Sequence, residues 1–100
     1  MAESCQNQMV VLGSKAHAQR FVASNWDRTL RARHCELLQN SPGRFACQFD
    51  TETPPLESLR RLSRRWPRLT FLLGYEMEPS RIQGLAKAKA GQLEHWETKY

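Results

Sequence analysis

The sequence predicts one α+β domain over residues 1–100, an antiparallel sheet carrying two helices on one face. Three observations lead there. An arginine-studded amphipathic helix stops at a proline and runs into an aromatic-rich strand, all within Thr51 to Glu78. Ahead of it, two short runs flank a dense turn signal, Asn40-Ser41-Pro42-Gly43, as the arms of a hairpin do. The chain opens with an apolar run, a Gly-Ser break and a second stretch of helical spacing.

Each element follows from local chemistry. Gln6 to Leu12 reads as a strand with Met9, Val10, Val11 and Leu12 as its apolar end. Gly13-Ser14 breaks it, and the Ser14 hydroxyl is placed to cap a helix from Lys15 to about Asn25, where Ala18, Phe21, Val22 and Asn25 share a face. Trp26 closes the core at the helix end, and Asp27 to Leu30 reads as a connection. Arg31 to Gln39 is a polar second strand. Arg44 to Thr51 alternates, with Phe45, Cys47 and Phe49 on one face and Ala46, Gln48 and Asp50 on the other.

The central helix has Thr53 as its expected N-cap and Pro54-Pro55 in its first turn, where a missing N–H costs nothing. Leu56, Leu59, Leu62 and Trp66 form its apolar face, Glu57 sits four residues before Arg61, and Pro67 ends it. Leu69 to Glu76 is the following strand. After Pro79, Arg81 to Ala90 and Gln92 to Tyr100 form a terminal hairpin around Gly91. A Gly91-Gln92 loop sets Lys89 opposite Glu94 and Lys87 opposite Trp96, with Ala90-Gly91 as the alternative loop. The order β-α-β-β-α-β is that of the ferredoxin-like fold, here with residues 81–100 as a hairpin extension.

Composition narrows the function classes. With 40% hydrophobic and 25% charged residues the chain is of ordinary globular type. No apolar run approaches the roughly 20 residues of a membrane span, and the N-terminus lacks the pattern of a signal peptide. Cys5, Cys35 and Cys47 are an odd set without a Cys-x-x-Cys, which points to free thiols in a reducing cytoplasm. The chain has 15 basic and 10 acidic residues, and removing Arg60, Arg61, Arg64, Arg65 and Arg68 leaves 10 of each. The whole net charge can be assigned to one segment.

The run Pro54-Pro55, Leu59, Leu62-Ser63-Arg64-Arg65, Pro67, Leu69, Phe71, Tyr75, Glu76, then Gly84 and Gly91, resembles the YubB-like ferredoxin-like domain family, over roughly residues 48 to 94. The resemblance implies the ferredoxin-like fold and a bacterial origin, often on plasmids, phage or mobile islands. It implies no reaction. The chain is shorter than that pattern between its first helix and Phe45.

The chemistry-bearing residues point to binding more than to catalysis. Arg60, Arg61, Arg64, Arg65 and Arg68 suit nucleic-acid phosphates through their bidentate forks, or else form a solvated face partly paired with Glu57. Arg44 to Asp50 is loosely similar to the aromatic strand of the RNA-recognition module, but Cys47 and Asp50 stand where aromatics belong, so Phe45 and Phe49 are expected in the core. Arg81-Ile82-Gln83-Gly84-Leu85 is similar to the acylphosphatase phosphate loop but follows the wrong strand. His34 and Cys35 point to opposite faces of a strand and do not converge on a metal. Glu76 and Glu78 share a face as solvated strand-end carboxylates, and no activated nucleophile is spaced for catalysis. The expectation is therefore a cytoplasmic, non-enzymatic accessory protein without cofactor or metal, away from membranes. Its partner is another protein or a second copy of itself, with nucleic acid on the arginine face as the alternative.

Overall fold

In a computed structural model describing residues 4–100, one antiparallel sheet takes in every strand. The elements are β1 (Ser4–Leu12), α1 (Lys15–Val22), α2 (Trp26–Leu30), β2 (Arg33–Ser41), β3 (Arg44–Thr51), α3 (Leu56–Arg65), β4 (Thr70–Glu78), β5 (Ile82–Lys89) and β6 (Gln92–Lys99). The strands lie in the order β2-β3-β1-β4-β5-β6.

This corrects the expected fold. The molecule is not the classical ferredoxin-like βαββαβ arrangement with an appended hairpin. Of the described residues 53% are strand, in a single six-stranded sheet with three helices. The physical reason is continuity of the period-two pattern. Phe71, Leu73 and Tyr75 on β4 face Ala88, Ala86 and Gly84 on β5, and those face Leu93, His95 and Glu97 on β6. The buried face thus continues from β4 into β5, where Ala86 and Ala88 join the core. Residues 81–100 are two strands of the sheet rather than an extension.

The third helix lies where a connection was expected. Trp26 is buried and stacks on Phe21 at 5.8 Å between centroids, which draws the chain into the turns of α2. Arg31, at φ 55, then ends that helix in a left-handed C-cap.

The remaining elements follow their signals closely. Ser14 Oγ accepts from His17 N at 3.3 Å and caps α1, whose Ala18 and Phe21 are buried. In α3, Leu59 and Leu62 are buried, while Leu56 and Trp66 pack at the core margin. Thr53 is not the cap: Pro55 occupies that position without a side-chain bond, and the Thr53 carbonyl instead accepts from Thr51 Oγ1 at 2.7 Å. The core lies between the helices and one sheet face, where Met9, Val11, Phe45, Phe49 and Phe71 meet Phe21, Leu59 and Leu62. Buried Asn7 is satisfied within it, its Nδ2 donating to Thr51 Oγ1 at 2.9 Å and to the Cys5 and Phe49 carbonyls.

The terminal hairpin turns at Ala90-Gly91, both at positive φ (50° and 84°), as a two-residue hairpin turn requires. Gly91 N donates to buried Ser63 Oγ at 3.0 Å, which docks the turn on α3. Lys87 therefore faces Glu94 and Leu85 faces Trp96, two residues away from the register that a Gly91-Gln92 loop gives.

Candidate functional site: the uncovered side of the sheet

The helices cover one face of the sheet and leave the other open. Alternation assigns the open face. Gln8 on β1 lies opposite Gly74 on β4, Gly74 opposite Leu85 on β5, and Leu85 opposite Trp96 on β6. Gly74 interrupts this row of side chains and leaves a notch beside Leu85. The notch belongs to a concave cavity of about 800 Å³. Amides and carboxylates make up much of its other lining, Gln6, Gln48, Gln83, Glu36, Asp50 and Glu76 among them.

These polar groups hold one another in place. His34 Nδ1 lies 3.0 Å from Asp50 Oδ2, and Gln48 Nε2 donates to Glu36 Oε2 at 2.7 Å. Tyr100 Oη donates to Glu76 Oε1 at 2.5 Å, with the Arg81 guanidinium 5.6 Å from its ring centroid. The hydrogen bond to Glu76 is the main reason that the Tyr100 phenol is pushed up to about 12. Apolar side chains do not have such partners. Among the described residues the exposed large hydrophobic ones are Leu37, Leu38, Leu72, Leu85, Trp96 and Tyr100, on the strands or just past the last one.

On the helix side, a second cluster ties the outer strands together. The Tyr75 ring lies across Gly84, and its hydroxyl donates to Glu97 Oε1 at 2.6 Å and contacts His95 Nε2 at 2.5 Å. With the phenol O–H directed at Glu97, the Tyr75 oxygen is left to accept from His95 Nε2–H. Burial first, and then Glu97, raises the phenol well above its ordinary range. This is a brace from β4 across β5 to β6.

The arginines expected on the basic face are split by Glu57. Arg60 Nε donates to Glu57 at 3.0 Å, and Arg61 Nε approaches the same carboxylate at 3.5 Å. The Arg60 hydrogen bond is the main cause that lowers the Glu57 carboxyl. Arg64, Arg65 and Arg68 are exposed, and no ion pair among the described residues includes them. Arg64 lies against the Gly91 turn. The face is thus partly paired with Glu57, as its spacing suggested, and it lies on the helix side, away from the open face.

The other sequence-level candidates are dispersed. Phe45 and Phe49 are buried against the helices, so β3 offers no aromatic ring to a stacked base. Gly84 lies mid-strand under Tyr75, where no phosphate loop forms. His34 stands at a bulge with φ 55 and Cys35 is exposed. Among the described residues no group of three or more His, Cys, Asp or Glu side chains converges as a metal site. Burial raises all three thiols, Cys47 to about 12, which keeps them protonated. No described helix is long and apolar enough to cross a membrane.

No protein-family model matches the chain, and neither does any curated protein or solved structure. The site consequently rests on its own geometry. Sequence reasoning missed the Leu85–Trp96 pair and the Tyr75–His95–Glu97 brace. Both depend on the register of the last hairpin, and the only signal for it was the alternative Ala90-Gly91 loop.

Proposed function

We propose that the protein is a non-enzymatic binding protein of the accessory, bacterial mobile-element kind that the family resemblance implies. It works by protein–protein contact through the uncovered side of its sheet, and its first partner is a second copy of itself. The observation that carries this is the location of its exposed apolar surface. Trp96 is 61% exposed and Leu85 64% exposed, they are cross-strand neighbours, and Leu72 is diagonal to Leu85 on the next strand. Contiguous exposed apolar residues rimmed by polar ones mark contact surfaces. The expected result is a dimer mass by light scattering at high micromolar concentration. A monomer mass there overturns the self-contact.

A second reading is nucleic-acid binding by the arginine face, favoured by the exposure of Arg64, Arg65 and Arg68 without carboxylate partners among the described residues. It predicts a gel shift at low salt that Arg64→Glu with Arg65→Glu abolishes. Affinity then falls with a log–log salt slope of about −0.9 per phosphate neutralised on duplex DNA. Absence of any shift at low salt removes this reading.

A further inference from the structure

The two edges of the sheet differ. On β2 the pairing slips twice, between Arg33 and Glu36 and again between Leu37 and Gln39, and His34 sits at φ 55. Such bulges blunt an edge against a further strand. On β6 the register runs unbroken over eight pairs, from Lys89 opposite Gln92 to Ile82 opposite Lys99. It contains no proline and no bulge. A regular outer strand of this kind is a template for another.

The parity of its free groups is fixed. A two-residue loop makes Lys89–Gln92 a hydrogen-bonded pair, and the pattern alternates from there. Tyr100 N donates to the Arg81 carbonyl at 2.8 Å, as that alternation requires. Even-numbered residues of β6 therefore bond inwards to β5. Leu93, His95, Glu97 and Lys99 direct their N–H and C=O groups to the open edge.

We propose that β6 pairs antiparallel with β6 of a second copy about a two-fold axis at Trp96, joining two sheets into one of twelve strands. This rests on the reading that a second copy is the partner, and deepens it by placing that contact at the β6 edge, beside Trp96 on the open face, and naming its register. Three constraints select the register. Outward groups must meet outward groups, and each face must meet the same face, which excludes every one-residue slip. Centring on Trp96 sets Trp96 against its counterpart in a non-hydrogen-bonded pair, where side chains come closest. It also sets His95 against Glu97, Glu94 against Thr98 and Leu93 against Lys99, with no like charges opposed. Slips of two residues do worse. Centring on Glu97 opposes two glutamates, which is destabilising. Centring on His95 sets Glu94 against Trp96 and loses the pairing of Lys99.

Cross-linking tests the register and mass tests the reading, so the two can fail separately. In a Cys35→Ser background, which leaves only the buried Cys5 and Cys47, Trp96→Cys forms a disulfide-linked dimer under mild oxidation. Directly opposed residues in such a pair hold Cβ atoms about 4.5–5.5 Å apart, close to the ~3.5–4.5 Å of a disulfide. Glu94→Cys alone does not cross-link, and neither does Thr98→Cys alone, but a mixture of the two does. Without a cysteine substitution, Trp96→Lys places two cations on the axis of an exposed position and weakens self-association at least about tenfold. A dimer mass with no Trp96→Cys cross-link, or with Glu94→Cys alone cross-linking equally well, overturns the register while the contact reading stands. A monomer mass for the unmodified protein overturns both.

Discussion

Phe21→Ala should leave the protein largely unfolded at physiological temperature. Phe21 is fully buried on α1, and its ring meets four others: Trp26 at 5.8 Å, Phe45 at 6.3 Å, Trp66 at 5.6 Å and Phe71 at 5.3 Å. These come from α2, β3, the C-cap of α3 and β4, so a single ring joins the helix layer to the sheet. Removing a buried Phe costs about 3–5 kcal/mol through lost transfer energy and the cavity left behind. The edge-to-face geometry of three of the contacts adds about 0.5–1.5 kcal/mol for each well-formed pair. A domain of this size has a total stability on the order of 5–15 kcal/mol. Thermal unfolding followed by near-ultraviolet circular dichroism should show Tm falling by roughly 15–30 °C, or no cooperative transition at all. A fall of only a few degrees would mean that the four rings close over the gap, and that Phe21 is not the hub.

The contrast between Phe21 and Trp26 shows what could be read from the residues. Phe21 was legible because it sits in an eleven-residue stretch of helical spacing behind a serine cap, a signal that repeats. Trp26 opens a helix of only five residues, too short to display any period, so that segment looked like a connection. Leu59 and Leu62 were legible for the same reason as Phe21, and Pro67 marked the end of α3 correctly. The start of α3 was misread at Thr53, because the hydroxyl that satisfies the chain there belongs to Thr51. The open sheet face was hidden for a different reason. Whether Trp96 meets Lys87 or Leu85 depends on the turn between the last two strands, and that turn is docked on α3 by a tertiary bond from Gly91 N to Ser63 Oγ. Within the hairpin the one signal for it was the alternative Ala90-Gly91 loop. The same register sets Gly84 opposite Glu97, and with that the brace beneath the outer strands. On the arginine face the pairing of Glu57 with Arg61 was legible from their spacing of four, while the tighter bond from Arg60 to the same carboxylate was not singled out.

Gly84→Ala tests that brace. A Cβ on Gly84 would lie 2.2 Å from Tyr75 Cζ, 2.4 Å from its Oη and 2.6 Å from Cε1, so the ring and the new methyl cannot both keep their places. Tyr75 is only 4% exposed, between β1 and β5, and has little room to retreat. Overpacking of this sort costs about 1–3 kcal/mol. If the ring swings away, the hydroxyl also gives up Glu97 and His95, at roughly 1 kcal/mol per hydrogen bond. The expected loss is on the order of 2–4 kcal/mol by chemical denaturation, with the urea slope unchanged. Tyr75→Leu in the same chain removes the ring that the methyl strikes, so the double variant should lose less than the two single losses added together. A cost for Gly84→Ala below about 0.5 kcal/mol, the level of an ordinary surface change, would show that the ring is not held over β5. The brace also bears on the contact surface, since His95 and Glu97 are the residues that fasten β6 to β4 and the ones set opposite each other across the proposed two-fold axis. Releasing them loosens the outer strand whose straight edge the pairing needs. Gly84→Ala should therefore weaken self-association, although residue 84 lies on the penultimate strand and not at the edge itself.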